Sequence, residues 1–284
     1  MQLSWRQRGP TPKALRAFGV RDNALRRLPG GQGHAWTDGR LVLKPMGCAA
    51  EHSWVCEVYA AWNAQDDVRV PEPVAAKGAD ETPGWSVDRW GAHVFVPGRD
   101  VDLPREVAHV KAASDAFHRE LEQLPRPDFI DTRDDPWAFG DRLAWEAAEP
   151  EGDAETLEVI ARLRRQLAPV STPAQVIHGD ILPNVLLADG LAPAVIDWPP
   201  YFRPVGTANA IAVTDVVTFR AGPLSLLDEW AAGADWNQLL IRALLYRLGT
   251  TALFASQNRL MGSLVTHLQR ARPVVDAVLS RRAR

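Results

Sequence analysis

Apolar and polar positions alternate over short runs in the first third of the chain and recur at helical spacing over most of the rest. Pro12–Phe18 predicts a short helix. Ala35–Trp36 and Arg40–Lys44 read as two strands joined by the turn Thr37-Asp38-Gly39. In AAEHSWVCEVYAAWNAQ, apolar side chains at 54, 55, 58, 59 and 62 predict an amphipathic helix. VRVPEPVAAK, GWSVDRW and AHVFVPG read as further strands, the last punctuated by Pro97-Gly98. From Leu103 onward the pattern turns helical: EVAHVKAASDAFHRELEQL, the end of DTRDDPWAFGDRLAWEAAEP, ETLEVIARLRRQLAPV, LLDEWAAG, WNQLLIRALLYRLGTTALFAS and a basic tail ending RRAR. A strand-rich beginning and a helical remainder predict an α+β fold, divided here into an N-terminal lobe, 1–96, and a C-terminal lobe, 97–284.

VIHGDILPNVLLADGLAPAVIDW interrupts the helical part. VLL and PAVID form the arms of a hairpin whose tip lies near Gly190. Asn184 precedes the tip and Asp197 follows it, so antiparallel pairing returns both to one end of the hairpin. Asp180 lies just upstream, next to His178-Gly179. Acids without a purpose are costly to bury. A cluster of hard oxygen ligands suits Mg²⁺ carried on nucleotide phosphates.

The remaining composition narrows the field. A net charge of −3 over 284 residues gives no basis for nucleic-acid binding. No apolar run reads as a membrane span and no secretory leader is visible, so a membrane partner is not expected, and no protein partner is predicted. Cys48 and Cys56 lie too far apart on one helix to bridge, which predicts reduced thiols and a cytoplasmic location. Basic residues are nearly all arginine; lysine occurs only at 13, 44, 77 and 111.

His178-Gly179-Asp180, Asn184 and Ile196-Asp197-Trp198 together resemble the HGDxxxN and metal-binding motifs of aminoglycoside phosphotransferases, small-molecule relatives of the protein kinases. The resemblance spans roughly residues 28 to 255. It implies a bilobal protein-kinase-like fold with a β-rich N-lobe and a mostly α-helical C-lobe. It further implies transfer of the γ-phosphoryl group of ATP or GTP, with Mg²⁺, to a hydroxyl of a small metabolite or aminoglycoside-like acceptor. On this resemblance Asp180 is the catalytic base, and Asn184 and Asp197 hold the metal. Lys44, at the end of LVLK, contacts nucleotide phosphates, with Glu57 preferred over Glu51 as its ion-pair partner. Gly30, Gly31 and Gly33 would let backbone N–H groups approach phosphates. FVPGRD resembles the interlobe linker, which makes Phe95 and Val96 candidates for the nucleotide pocket. His178 braces the catalytic loop, and Asp215 resembles a further aspartate that anchors it. Phe117-His118 resembles a Leu-His pair of the family, read here as part of a packed helix. PGGQG…LVLKP, RDDPWAF, the hairpin and LLIRALLYRL are similar to an uncharacterised bacterial branch of the superfamily, which brings no substrate with it.

For the acceptor, WPPYFRP supplies Trp198, Tyr201 and Arg203, and Asp141 lies on a nearby helix pattern. Arginines are mixed with the aspartates of 128–141, which suits a sugar, a nucleoside or an anionic metabolite at least as well as a polycation. The alternatives are a nucleotide-binding pseudoenzyme of the same fold and, less favoured, a metal-dependent hydrolase using His178, Asp180 and Asp197. A purely structural partner protein leaves the convergence of Asp180, Asn184 and Asp197 unexplained.

Overall fold

Residues 9–21, 25–29, 33–64, 66–77, 84–260 and 262–281 are described in this computed structural model. The chain forms two compact units: residues 1–99 with 186–196, and residues 100–185 with 197–284. The division falls at Arg99–Asp100, a little beyond the boundary expected from sequence, and the hairpin joins the first unit.

In the first unit α1 (Pro12–Ala17) starts at Thr11, whose hydroxyl accepts the Ala14 N–H. Strands β1 (Arg26–Arg27), β2 (Trp36–Thr37) and β3 (Leu41–Pro45) precede α2 (Ala49–Ala60); β4 (Ser86–Val87) and β5 (Trp90–Val94) follow it. They form one sheet in the order β1-β2-β3-β5-β4. The β2–β3 turn is closed by Asp38, whose Oδ1 accepts the N–H groups of Arg40 and Leu41, and by Gly39 at φ +93°. Leu41 and Leu43 pack with Leu15, Phe18, Trp90 and Ala92, so the intervening Val42 and Lys44 face the other side of β3. VRVPEPVAAK does not become a strand. It makes only isolated bridges at Arg69, Pro73 and Ala76, because Pro71 and Pro73 lack the N–H groups a ladder needs.

The second unit begins at Asp100, the second residue of β6 (Arg99–Asp100). It contains α3 (Val107–Leu121), α4 (Pro136–Ala144) and α5 (Ala154–Arg164), followed by β7 (Ala174–His178). Asp135 caps α4 by accepting the N–H groups of Trp137 and Ala138. Strands β8 (Val185–Leu187) and β9 (Ala194–Val195) are the hydrogen-bonded arms of the hairpin. Arg69 ties the hairpin to the first unit. Its backbone bridges Pro193 and Val195, and its guanidinium donates to the Ala192 and Pro97 carbonyls.

Strand β10 (Pro200–Pro204) returns to pair antiparallel with β7, with Tyr201 opposite Ile177. Four helices complete the unit: α6 (Gly206–Phe219), α7 (Leu226–Glu229), α8 (Trp236–Ser256) and α9 (His267–Leu279). α8 is the one described helix long and apolar enough to cross a membrane, yet 72% of its apolar window is buried inside the unit. It crosses α4 at a glycine contact, where Gly249 lies against Gly140; a Cβ on Gly140 would meet the Tyr246 carbonyl at 2.4 Å.

Candidate functional site

The loop from His178 to Asn184 in the second unit is held by a chain of neutral hydrogen bonds. His118, fully buried on α3, donates from Nδ1 to the Ser114 carbonyl at 2.7 Å. Its Nε2 accepts the His178 N–H at 3.0 Å. His178 in turn accepts the Asp180 N–H on its Nδ1 at 3.1 Å. Both His118 nitrogens are thereby committed to the uncharged ring, and burial pushes its pKa down to about 4. Asn184 closes the loop by donating its amide to the Asp180 carbonyl at 2.7 Å. This commits its nitrogen to the loop and leaves Oδ1 as the atom that could take a metal. Gly179 is required by close approach, since a Cβ there would lie 2.2 Å from the Tyr201 ring.

Asp197 is exposed and adopts a left-handed backbone, φ +51°, an uncommon region in which Asp and Asn are enriched. The adjacent residue departs from expectation. Trp198 is buried, packs edge-on against Phe117 at 5.3 Å and donates its indole N–H to the Ile177 carbonyl at 3.0 Å. It is a core residue that seats β7, not an acceptor contact; the flanking prolines and the motif position conceal that burial in the sequence.

Asp180 has a partner from a distant part of the chain. Arg247, on α8, places Nη2 2.5 Å from Asp180 Oδ1 and 2.5 Å from Asp215 Oδ2, while its Nε lies 3.0 and 3.1 Å from the two Asp215 oxygens. Burial raises the pKa of Asp215, with Arg247 pulling against it. Burial also opposes the guanidinium charge, but the two carboxylates outweigh it and hold its pKa well above the usual value. Asp215 therefore reaches the Asp180 loop through Arg247. The available signal is an arginine within LLIRALLYRL: a cation inside an apolar helix calls for acceptors, here a pair of carboxylates.

Three acceptor candidates meet at one cavity of about 90 Å³, lined among others by Asp141, Tyr201 and Arg203. Arg203 forms a two-point pair with Asp141 at 3.0 and 2.6 Å. The Tyr201 hydroxyl accepts from Arg133 at 3.1 Å.

The nucleotide candidates lie in the first unit. Lys44 is half-buried on β3. On α2, His52, Val55, Cys56 and Tyr59 form the stripe turned to the sheet: the His52 ring covers Gly91, and the Cys56 Sγ lies 3.8 Å from His93 Nε2. Glu57 lies roughly opposite that stripe at 3.6 residues per turn and is exposed. Glu51, in the first turn and half-buried, flanks the stripe. Glu57 thus points away from the sheet that carries Lys44, against the preference drawn from sequence, and Glu51 is the better placed of the two; apolar neighbours in sequence do not reveal the helical phase. The Phe95 N–H is already donated to the Arg40 carbonyl at 2.8 Å, so of the linker pair Val96 has the better claim to a ligand. Gly33 has φ +67° with open space at its Cβ position, whereas Gly30 and Gly31 lie outside the described residues.

No curated protein matches the chain. Among solved structures, a choline/ethanolamine kinase family protein from Mesorhizobium loti superposes with a TM-score of 0.59 at 16% identity, over 90% of this chain and 88% of that one. A thermostable mutant of aminoglycoside phosphotransferase APH(4)-Ia gives 0.57 at 16% identity, over 95% and 99%. Spectinomycin phosphotransferase APH(9)-Ia, in complex with ADP and spectinomycin, gives 0.55 at 13% identity, over 90% and 92%. These likenesses establish a shared kinase-like α+β fold. The sequence model of the phosphotransferase enzyme family matches residues 36–201, more than half the chain, and by that match the chain belongs to this family.

Proposed function

We propose that the protein transfers the γ-phosphoryl group of ATP or GTP to a hydroxyl of a small molecule. The observation that carries this reading is the gathering of Asp180 and Asn184 on one braced loop, with Asp197 held in a left-handed backbone at the end of the hairpin. In the transfer, the acceptor oxygen bonds to the γ-phosphorus, the bond to the β,γ-bridging oxygen breaks, and the diphosphate leaves with that electron pair. Asp180 orients the acceptor hydroxyl and takes its proton. Arg247 occupies Oδ1, so Oδ2 is the working oxygen. Lys44 binds nucleotide phosphates, and the Val96 amide is available to a base. The donor set of Asn184 Oδ1 and the Asp197 carboxylate fits Mg²⁺, which would supply charge neutralisation on the phosphates.

Calorimetric titration with ATP and GTP, with and without Mg²⁺, tests the reading on wild type and Asp197→Ala. Binding strengthened by Mg²⁺ and weakened by the substitution supports it; no binding of either nucleotide at millimolar concentration removes it. Asp180→Asn is expected to abolish transfer and leave nucleotide affinity intact. Normal turnover in that variant would show the base to be wrongly assigned.

The short Arg247–Asp180 pair favours a second reading, a nucleotide-binding protein without turnover, in which the guanidinium withholds the base. Nucleotide binding with no nucleotide consumption across hydroxylated acceptors would support it.

A further inference from the structure

The cavity between the segment 126–133, α4 and β10 has an unusual charge balance. Four arginines line it, Arg126, Arg133, Arg142 and Arg203, against two aspartates, Asp131 and Asp141. Three of the guanidiniums are matched by acids: Arg126 with Asp131, Arg203 with Asp141, and Arg133 with Asp135. Arg142 is not. It is half-buried, donates from Nη1 to the Arg133 carbonyl at 2.8 Å, and has no carboxylate within 4 Å among the described residues. A half-buried guanidinium with only a carbonyl for company retains donors suited to a carboxylate or phosphate.

The cavity's position matters as much as its charge. Tyr201 lines it, and the ring of Tyr201 lies against Gly179, the residue before Asp180. One aromatic ring therefore separates the cavity from the catalytic loop. A smaller cavity of about 10 Å³ adjoins it, sharing Asp141, Tyr201 and Arg203, and is lined by Gly179 itself. Two of its lining residues carry buried polar atoms without a hydrogen-bond partner, Thr207 Oγ1 and Arg242 Nε. The larger cavity has room for roughly six waters, taking about 15 Å³ for each. That accommodates one small charged group and its solvent, not a polycyclic aminoglycoside.

We propose that this cavity binds an anionic group of the acceptor, a carboxylate or phosphate ester on a small hydroxylated molecule, with Arg142 setting the preference for negative charge. The proposal rests on the phosphotransferase reading for the word acceptor; the anion site itself does not. A cationic acceptor, such as a choline-like or aminoglycoside amine, meets uncompensated like charge here and is disfavoured.

Glycerate, glycerol 3-phosphate, glycerol and choline are the probes, titrated calorimetrically into free protein and into protein saturated with AMP-PNP and Mg²⁺. The saturated arm blocks anions from entering through the nucleotide site. One of the two anions is expected to bind at least tenfold more tightly than glycerol, and choline not at all. Whichever anion is favoured distinguishes carboxylate from phosphate. Arg142→Gln keeps an amide for the Arg133 carbonyl but loses the charge, and should remove the tenfold preference; Arg142→Lys should retain part of it. Thermal melts of both variants check that the unit stays folded. The proposal is overturned if neither anion binds, if glycerol or choline binds as well as the anions, or if Arg142→Gln discriminates like wild type. Failure of AMP-PNP to bind, with the anion preference intact, removes the phosphotransferase reading and supports the anion site.

Discussion

Replacing Arg247 by methionine removes the cation shared by Asp180 and Asp215 while keeping an unbranched side chain of comparable length on α8. The consequence differs for the two acids. Asp180 is 33% exposed and retains water as a partner, whereas Asp215 is 9% exposed and is left with a buried, unpaired carboxylate. Breaking one side of a buried ion pair costs about 3–5 kcal/mol. At roughly 2–4 °C per kcal/mol for a unit of this size, the thermal midpoint should fall by about 6–20 °C. Burial already raises the Asp215 pKa. Without Arg247 the main offset to that burial is lost, so the carboxyl should take up a proton more readily still, which caps the loss. Urea unfolding followed by far-UV circular dichroism, on wild type, Arg247→Met and Arg247→Met/Asp215→Leu, measures the effect. The double variant replaces both charges with apolar groups and should recover most of the stability. A single-variant loss below about 1 kcal/mol, the level of an exposed pair, would refute the account. So would a double variant no more stable than the single one.

Other expectations follow from the same packing. The pKa of His118 is pushed down to about 4 and that of His267 to about 3, both by burial. The unfolded chain thus binds protons first as pH falls below 6.5, and the stability these neutral rings contribute above that pH is lost on acidification. By pH 5 each should remove about 2 kcal/mol, read as a drop in the urea midpoint; a midpoint unchanged between pH 7.5 and pH 5 would contradict this. Gly140→Ala puts a methyl group 2.3 Å from Thr250 Oγ1 and 2.4 Å from the Tyr246 carbonyl, and overpacking of this kind should cost about 1–3 kcal/mol. A variant as stable as wild type in the same urea assay would show that α4 and α8 can separate freely. The Cys56 thiol, buried and pushed up to about 12, should resist an aromatic disulfide reagent in the native protein while Cys48 reacts. Rapid modification of both would place Cys56 nearer the surface.

Features carried by local pattern were legible in the sequence. The hairpin and the turn at Asp38-Gly39 each follow from residues within a few positions of one another. Features that depend on helical phase or distant pairing were not. Glu57 sits among apolar neighbours in sequence yet points away from the sheet, because six positions separate it from Glu51 and rotate it to another face. Trp198 reads as a pocket aromatic until β7 supplies the Ile177 carbonyl. α6, nearly all buried, offers no amphipathic period to detect. Arg247 and Asp215 are separated by 32 residues, and nothing local indicates that they meet.

The late position of α8 in the chain bears on how the protein is made. This helix supplies the central surface against which α4, α6 and α9 pack, and it is apolar over most of its length. During synthesis at about 5–20 residues per second, on the order of ten seconds separates the emergence of Asp100 from that of Trp236. Helices α4, α5 and α6, which pack on α8, emerge within that interval and must wait for the partner that buries them. Chains halted before α8 are therefore expected to be bound by holdase chaperones or to aggregate, and the emergence of α8 becomes the step that commits the second unit to its native state.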